Sequence, residues 1–104
     1  MIMHNPPHPG EILKEDIIEA LNLSVTKTAE HLQITRKHLS NVCNGHNGIS
    51  ADLALRLEAV FGAPKAPAWL EMQAAYDLWK AKEKVDKRHL EAFNDDHFHA
   101  KAYG

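Results

Sequence analysis

A chain of 104 residues, 44% hydrophobic and 25% charged, has the size and make-up of one globular domain whose core needs neither disulfide nor metal. Its single cysteine, Cys43, excludes an internal disulfide and suits a reducing compartment, and no apolar run approaches the roughly 18 residues of a membrane span. A net charge of −2 excludes a uniformly basic surface, so affinity for nucleic acid would have to come from an uneven distribution of charge.

Residues 1–8 contain Pro6 and Pro7 without periodicity and read as a flexible, extended arm; MIMHNPPHPG lacks the basic end and apolar centre of a secretory signal, so a soluble, cytoplasmic protein is expected. Pro9 sits where helices begin, with Glu11 in the first turn. Leu13, Ile17, Ala20 and Leu21 then recur at helical spacing up to a stop at Asn22. Ser24 caps a second helix over Val25 to Leu32. Gln33 stands in a turn, and Thr35 caps a third helix that Asn44-Gly45 closes. Ser50 caps a fourth, with Leu53, Leu57 and Val60 on one stripe that Ala54 and Phe61 widen, and Gly62 ends it. After a connector holding Pro64, Pro67 opens a fifth helix on which Trp69, Met72, Tyr76 and Trp79 share a face. Beyond Lys80 the pattern thins to the charged run KAKEKVDKR, where Val85, Leu90 and Phe93 extend the helix on one sparse face, and residues 94–104 carry no periodicity. The expectation is an all-α, five-helix fold without strands: a domain over 9–82 and a charged extension over 83–104, partly helical or disordered.

Val25 to Asn44 carries the chemistry. Two short helices about a tight turn, with Ala29, Leu32, Ile34, Leu39 and Val42 inward, describe a helix-turn-helix whose second helix enters the major groove. Arg36, Ser40 and Asn44 share the outward face, with Lys37 and Asn41 beside them. Arginine pairs with both guanine acceptors and asparagine with adenine, while Thr35, Thr26 and Lys27, at the two helix starts, reach phosphates. Charge agrees: residues 24–48 hold Lys27, Arg36 and Lys37 against Glu30, an excess of +2, whereas residues 1–23 sum to −3. An excess of +2 is small, so two copies are needed for useful affinity.

His8-Pro9-Gly10-Glu11, the helix-turn-helix, Gly48-Ile49-Ser50 with Ala54-Leu55-Arg56-Leu57, then Trp69-Leu70 and Gln73 to Trp79 (QAAYDLW), form a series that resembles the HigA antitoxins. These are also called VapI-type or addiction-module antidote proteins, within the Cro/C1-type helix-turn-helix superfamily, which implies a lambda-repressor-like fold. The likeness runs from about His8 to Ala81. It implies a homodimer that represses its own operon at a palindrome in double-stranded DNA and neutralises a small RelE-like ribonuclease, HigB, that cleaves mRNA. It also implies that Thr35, Arg36, Lys37, Ser40 and Asn41 touch DNA, and that the aromatic fifth helix supports the fold and the dimer. The sequence departs from the family pattern at Gln33, where glycine is usual, and at Lys65 to Ala68, which replaces a Ser-Pro-Glu helix start. A stand-alone Cro/C1-type regulator without a toxin is the alternative.

Other constellations are weaker. Asp95, Asp96, His97 and His99 have metal-ligand chemistry but nothing to fix their geometry, and Cys43 with His38 or His46 lacks the setting of a nucleophile pair. No enzyme activity, cofactor or metal is expected. Trp69, Tyr76 and Trp79 are spaced for core or dimer packing rather than base stacking. Glu11, Glu15, Asp16 and Glu19 form a wet helix face that also suits a basic toxin.

Overall fold

The computed structural model describes residues 5–93, and every regular element among them is helical. Helix α1, Pro9–Ile12, runs directly into a π-helical stretch, Leu13–Glu19; α2 is Val25–Leu32, α3 Arg36–Cys43, α4 Ala51–Phe61 and α5 Ala66–Lys84. The starts follow from local chemistry. The Ser24, Thr35 and Ser50 hydroxyls accept from the N–H groups of Lys27, His38 and Leu53 at 3.0, 3.0 and 3.2 Å, satisfying donors that a helix start leaves free. The ends are equally local. Gly45 and Gly62 take positive φ (79° and 82°), while Asn44 keeps an ordinary one, so of the Asn44-Gly45 pair only the glycine uses the left-handed region.

Leu13, Leu32, Leu39, Leu53, Leu57, Val42 and Trp69 are almost wholly inaccessible and form the centre of the core, with Ile17, Ile18, Ala29, Ile49 and Ala54 around them. Each buried leucine contributes about 1.5–3 kcal/mol. These side chains come from the π-helical stretch, from α2 to α5 and, with Ile49, from the loop before α4, so the helix-turn-helix is seated by the rest of the chain.

Four expectations change. Ile18 is buried in place of Ala20 and Leu21, and Leu21 is 58% exposed. The π-helical turns of Leu13–Glu19 bond one residue farther back than α-helical ones, which moves the inward face off a 3.6-residue period, and Asn22 (φ 57°) then ends the segment with the Leu23 N–H on the Ile18 carbonyl at 2.8 Å. Val60 is 40% exposed because the last turn of α4 outruns the core, where half-buried Phe61 packs instead. Helix α5 ends at Lys84, and Val85 is already extended (φ −80°, ψ 119°). Val85, Leu90 and Phe93 therefore do not continue it: past Lys80 the helix has no core to lie on, and among the described residues only a single 3-10 turn, Lys87–His89, follows. Finally, His8 belongs to the folded part rather than to a flexible arm, and Pro6 is buried.

Candidate nucleic-acid interface

The outward face of α3 is where the sequence places it. Arg36, Lys37 and Asn44 are exposed and Ser40 and Asn41 half-exposed, while Leu39, Val42 and Cys43 point into the core. Asn44 Nδ2 donates to Ser40 Oγ at 3.4 Å, a long bond that orders two neighbouring polar groups without consuming them. Thr26 and Lys27 are exposed in the first turn of α2, and Thr35 at the start of α3. The Lys27 N–H is taken by Ser24, so at that position only the ammonium is left for a phosphate; Thr35 accepts from His38 and keeps its own hydroxyl proton to donate. None of Lys27, Arg36 and Lys37 forms an ion pair among the described residues, so the positive charge of this face is uncompensated.

Three long-range devices hold that face in place, and none was read from the residues beforehand. At the front, His8 accepts the Gly10 N–H on Nδ1 at 2.9 Å and caps α1, its ring edge-on to Tyr76 with centroids 4.8 Å apart. Gly10 lies against the recognition helix so closely that a Cβ there would overlap the Val42 carbonyl oxygen. The motif His8-Pro9-Gly10-Glu11 is thus cap, helix start and close-approach point in succession. Burial lowers the His8 pKa against the opposing pull of Asp77 and Glu11, which keeps Nδ1 an acceptor.

At the turn, Gln33 has φ 56° and ψ 44°, left-handed backbone that glycine would adopt more readily. Arg56 of α4 compensates. Its Nη1 donates to the carbonyls of Leu32 and Gln33 at 2.9 and 3.1 Å, while its Nε is held by Asp52 at 2.6 Å. A cation on the last carbonyls of α2 also suits the negative end of that helix. At the back, buried Gln73 of α5 accepts the Ile49 N–H at 2.8 Å and donates to Asp77 at 2.9 Å, fixing the loop that leaves α3. Gly48 makes room, since a Cβ there would stand 3.0 Å from the Gln73 amide. A glycine inside a helix start and a glutamine at the core spacing Ala66, Trp69, Gln73 were the available signals. Helix α5 has no cap from Lys65; Glu58 supplies it, accepting the Ala66 N–H at 2.7 Å, which stands in for the missing Ser-Pro-Glu start.

The three aromatics divide. Trp69 lies in the core, whereas Tyr76 and Trp79 are half-buried, Tyr76 against His8 and Trp79 beneath the Lys80 ammonium at 5.5 Å. Cys43 is buried and its thiol pushed up by that burial, with Lys14 opposing, which suits packing rather than nucleophilic chemistry. No group of three or more acidic, histidine or cysteine side chains is placed to hold a metal among the described residues; Asp95, Asp96, His97 and His99 lie outside them. Among those residues, no helix is long and apolar enough to cross a membrane.

The helix-turn-helix family model HTH_3 matches residues 14–66. Virulence-associated protein A' of Dichelobacter nodosus is 42% identical over 82 residues, covering 79% of this chain and 70% of that protein. Two solved structures are similar throughout the fold. An addiction module antidote protein of the HigA family from Coxiella burnetii is 36% identical with a TM-score of 0.76, over 88% of this chain and all of that one. The Pseudomonas aeruginosa antitoxin HigA, solved with the higBA promoter, is 30% identical with a TM-score of 0.74, over 84% of this chain and 97% of that one.

Proposed function

We propose that this chain, which belongs to the HTH_3 helix-turn-helix family and is a HigA-type antitoxin with a Cro/C1-type reading head, represses its own operon as a homodimer on a palindromic operator and neutralises a RelE-like, mRNA-cleaving toxin. It is a DNA-binding regulator, not an enzyme. The observation that carries the DNA half is the uncompensated polar face of α3, on which Arg36 and Lys37 have no ion-pair partner among the described residues. In the major groove, Arg36 pairs with guanine O6 and N7, and Asn41 and Asn44 meet adenine. Ser40 takes either kind of base edge, and Thr26, Lys27, Thr35 and Lys37 clamp phosphates on either side. Two such heads one helical turn apart, about 34 Å, read the two halves of a palindrome, and the promoter complex of the Pseudomonas relative supports that use of the fold.

The toxin half is supported by likeness and by charge. Glu11, Glu15, Asp16 and Glu19 are exposed and hold no ion pair among the described residues, which suits a basic ribonuclease. Co-purification with the product of the adjacent reading frame tests it; recovery of the chain alone would leave a stand-alone regulator.

For the DNA half, binding of Arg36→Ala and Lys37→Ala to the chain's own promoter is measured against salt. Arg36→Ala is expected to cost about 1–3 kcal/mol on the preferred sequence and little on others. Lys37→Ala is expected to weaken every sequence alike and to reduce the salt slope of the dimer by about two, one for each copy. Unchanged binding in the double variant would remove α3 from the interface.

A further inference from the structure

A cleft of about 350 Å³ opens between the first helical segment, the end of α3 and α5. Glu11, Lys14 and Glu15 form one side of it, Cys43 to Gly45 another, and His8 with Tyr76 completes the lining. Its charge is one-sided. Glu11 and Glu15, about one turn apart, are exposed carboxylates without an ion pair among the described residues. Asp77 stands close enough for its charge, like that of Glu11, to act on the His8 ring. The carbonyl end of α3, with its partial negative charge, meets them from the reading head. Against these stands the Lys14 ammonium, the one lysine or arginine in the lining.

Aromatic surface lies beside that charge. The Tyr76 ring meets His8 edge-on, and Trp79 follows with its centroid 6.4 Å from that of Tyr76. The Trp79 ring already carries the Lys80 ammonium at 5.5 Å, so this side of α5 takes a cation within its own chain. An adjoining cleft of about 430 Å³ shares His8, Glu11 and Tyr76 and adds Pro6, Pro7 and Trp79. Carboxylates at the end of an apolar, aromatic approach suit a long cationic side chain, whose stem packs on the rings while its head meets the charge. Arginine fits that setting better than lysine. Its planar guanidinium stacks on rings and has enough N–H donors to bridge two carboxylates.

We propose that this cleft is the docking point for an arginine side chain of a basic protein partner, its guanidinium bridging Glu11 and Glu15. This rests on the toxin reading given above and narrows it. Of the four carboxylates on the first helical segment, Glu11 and Glu15 line the cleft and hold the arginine. Asp16 and Glu19 line neither cleft, and their part is confined to steering a basic partner at longer range.

Binding of the full chain to the purified product of the adjacent reading frame is measured by calorimetry, with circular dichroism to confirm that each variant keeps its helices. Glu11→Gln combined with Glu15→Gln is expected to weaken the complex about tenfold or more. Asp16→Asn combined with Glu19→Gln removes the same charge and is expected to weaken it less than about twofold. Lys14→Gln, which takes away the competing ammonium, is expected to tighten it about two- to fivefold. A complex that responds equally to the two carboxylate pairs, or to neither, overturns the cleft while keeping the toxin partner. A wild-type chain that does not bind the neighbouring product overturns the toxin reading itself.

Discussion

His8 does the most with a single side chain. It caps α1 through Nδ1, lies edge-on to Tyr76, and thereby holds Gly10 against the Val42 carbonyl of the recognition helix. The cap requires the neutral ring, because a protonated imidazole has no lone pair left to accept with. Burial places the folded-state pKa below the ordinary 6.5. The unfolded chain therefore binds the proton more readily, so the contribution of His8 is complete above that value and is lost as pH falls toward the lowered one. Thermal midpoints recorded from about pH 7 to about pH 5 are expected to fall more steeply for the wild type than for His8→Asn, which keeps an acceptor but cannot titrate. Equal slopes would mean that the cap does not govern the acid response. Gln33 shows the opposite economy: a left-handed residue costs about 1–2 kcal/mol, which the surrounding leucine core easily outweighs.

Among the elements, α4 has a use beyond its buried stripe. Its first two turns present Asp52 and Arg56, and the guanidinium reaches across to the last carbonyls of α2. The angle between the two helices of the reading head is therefore set in part from a third helix. Arg56→Met keeps the stem's packing and removes both carbonyl bonds. With a partly exposed arginine, a loss of about 1–2 kcal/mol in urea unfolding is expected, together with faster amide exchange around Leu32 to Thr35. A variant as stable as the wild type, with the turn amides still protected, would assign the turn's geometry to the core alone. Helix α5 joins the head differently, through Gln73 and the Ile49 N–H, so both sides of α3 are tied down from other helices.

For the molecule as a whole, a net charge of −2 conceals a division of labour. The cations Lys27, Arg36 and Lys37 gather on the reading head, and the carboxylates of Glu11, Glu15, Asp16 and Glu19 on the first helical segment. The two phosphate-clamping cations of each copy, Lys27 and Lys37, make four in a dimer, so log affinity for the operator is expected to fall with log salt at a slope of about −3.6. Raising salt fourfold would then weaken binding roughly 150-fold; a slope near half that value would indicate one head on the DNA rather than two.

What the sequence determined by itself is whatever is decided within one turn of helix. The caps at Ser24, Thr35 and Ser50, the glycine at the end of α4 and the inward periodicity of α2 and α3 depend on neighbours three or four positions away, and all are found as expected. The outward position of Arg36, Lys37, Ser40, Asn41 and Asn44 follows from the same periodicity. Resemblance, through His8-Pro9-Gly10-Glu11 and Gln73 to Trp79, pointed to the HigA family, though not to what those residues do. Only the tertiary structure decided that. Arg56 meets Gln33 and Gln73 meets Ile49 across separations of 23 and 24 residues, and Gly10 meets Val42 across a helix crossing. Partners so far apart leave no local period to read, because which side chain arrives is settled only when the helices cross. The same reason explains why the aromatics of α5 form one stripe in sequence but divide in space, Trp69 into the core and Tyr76 against His8.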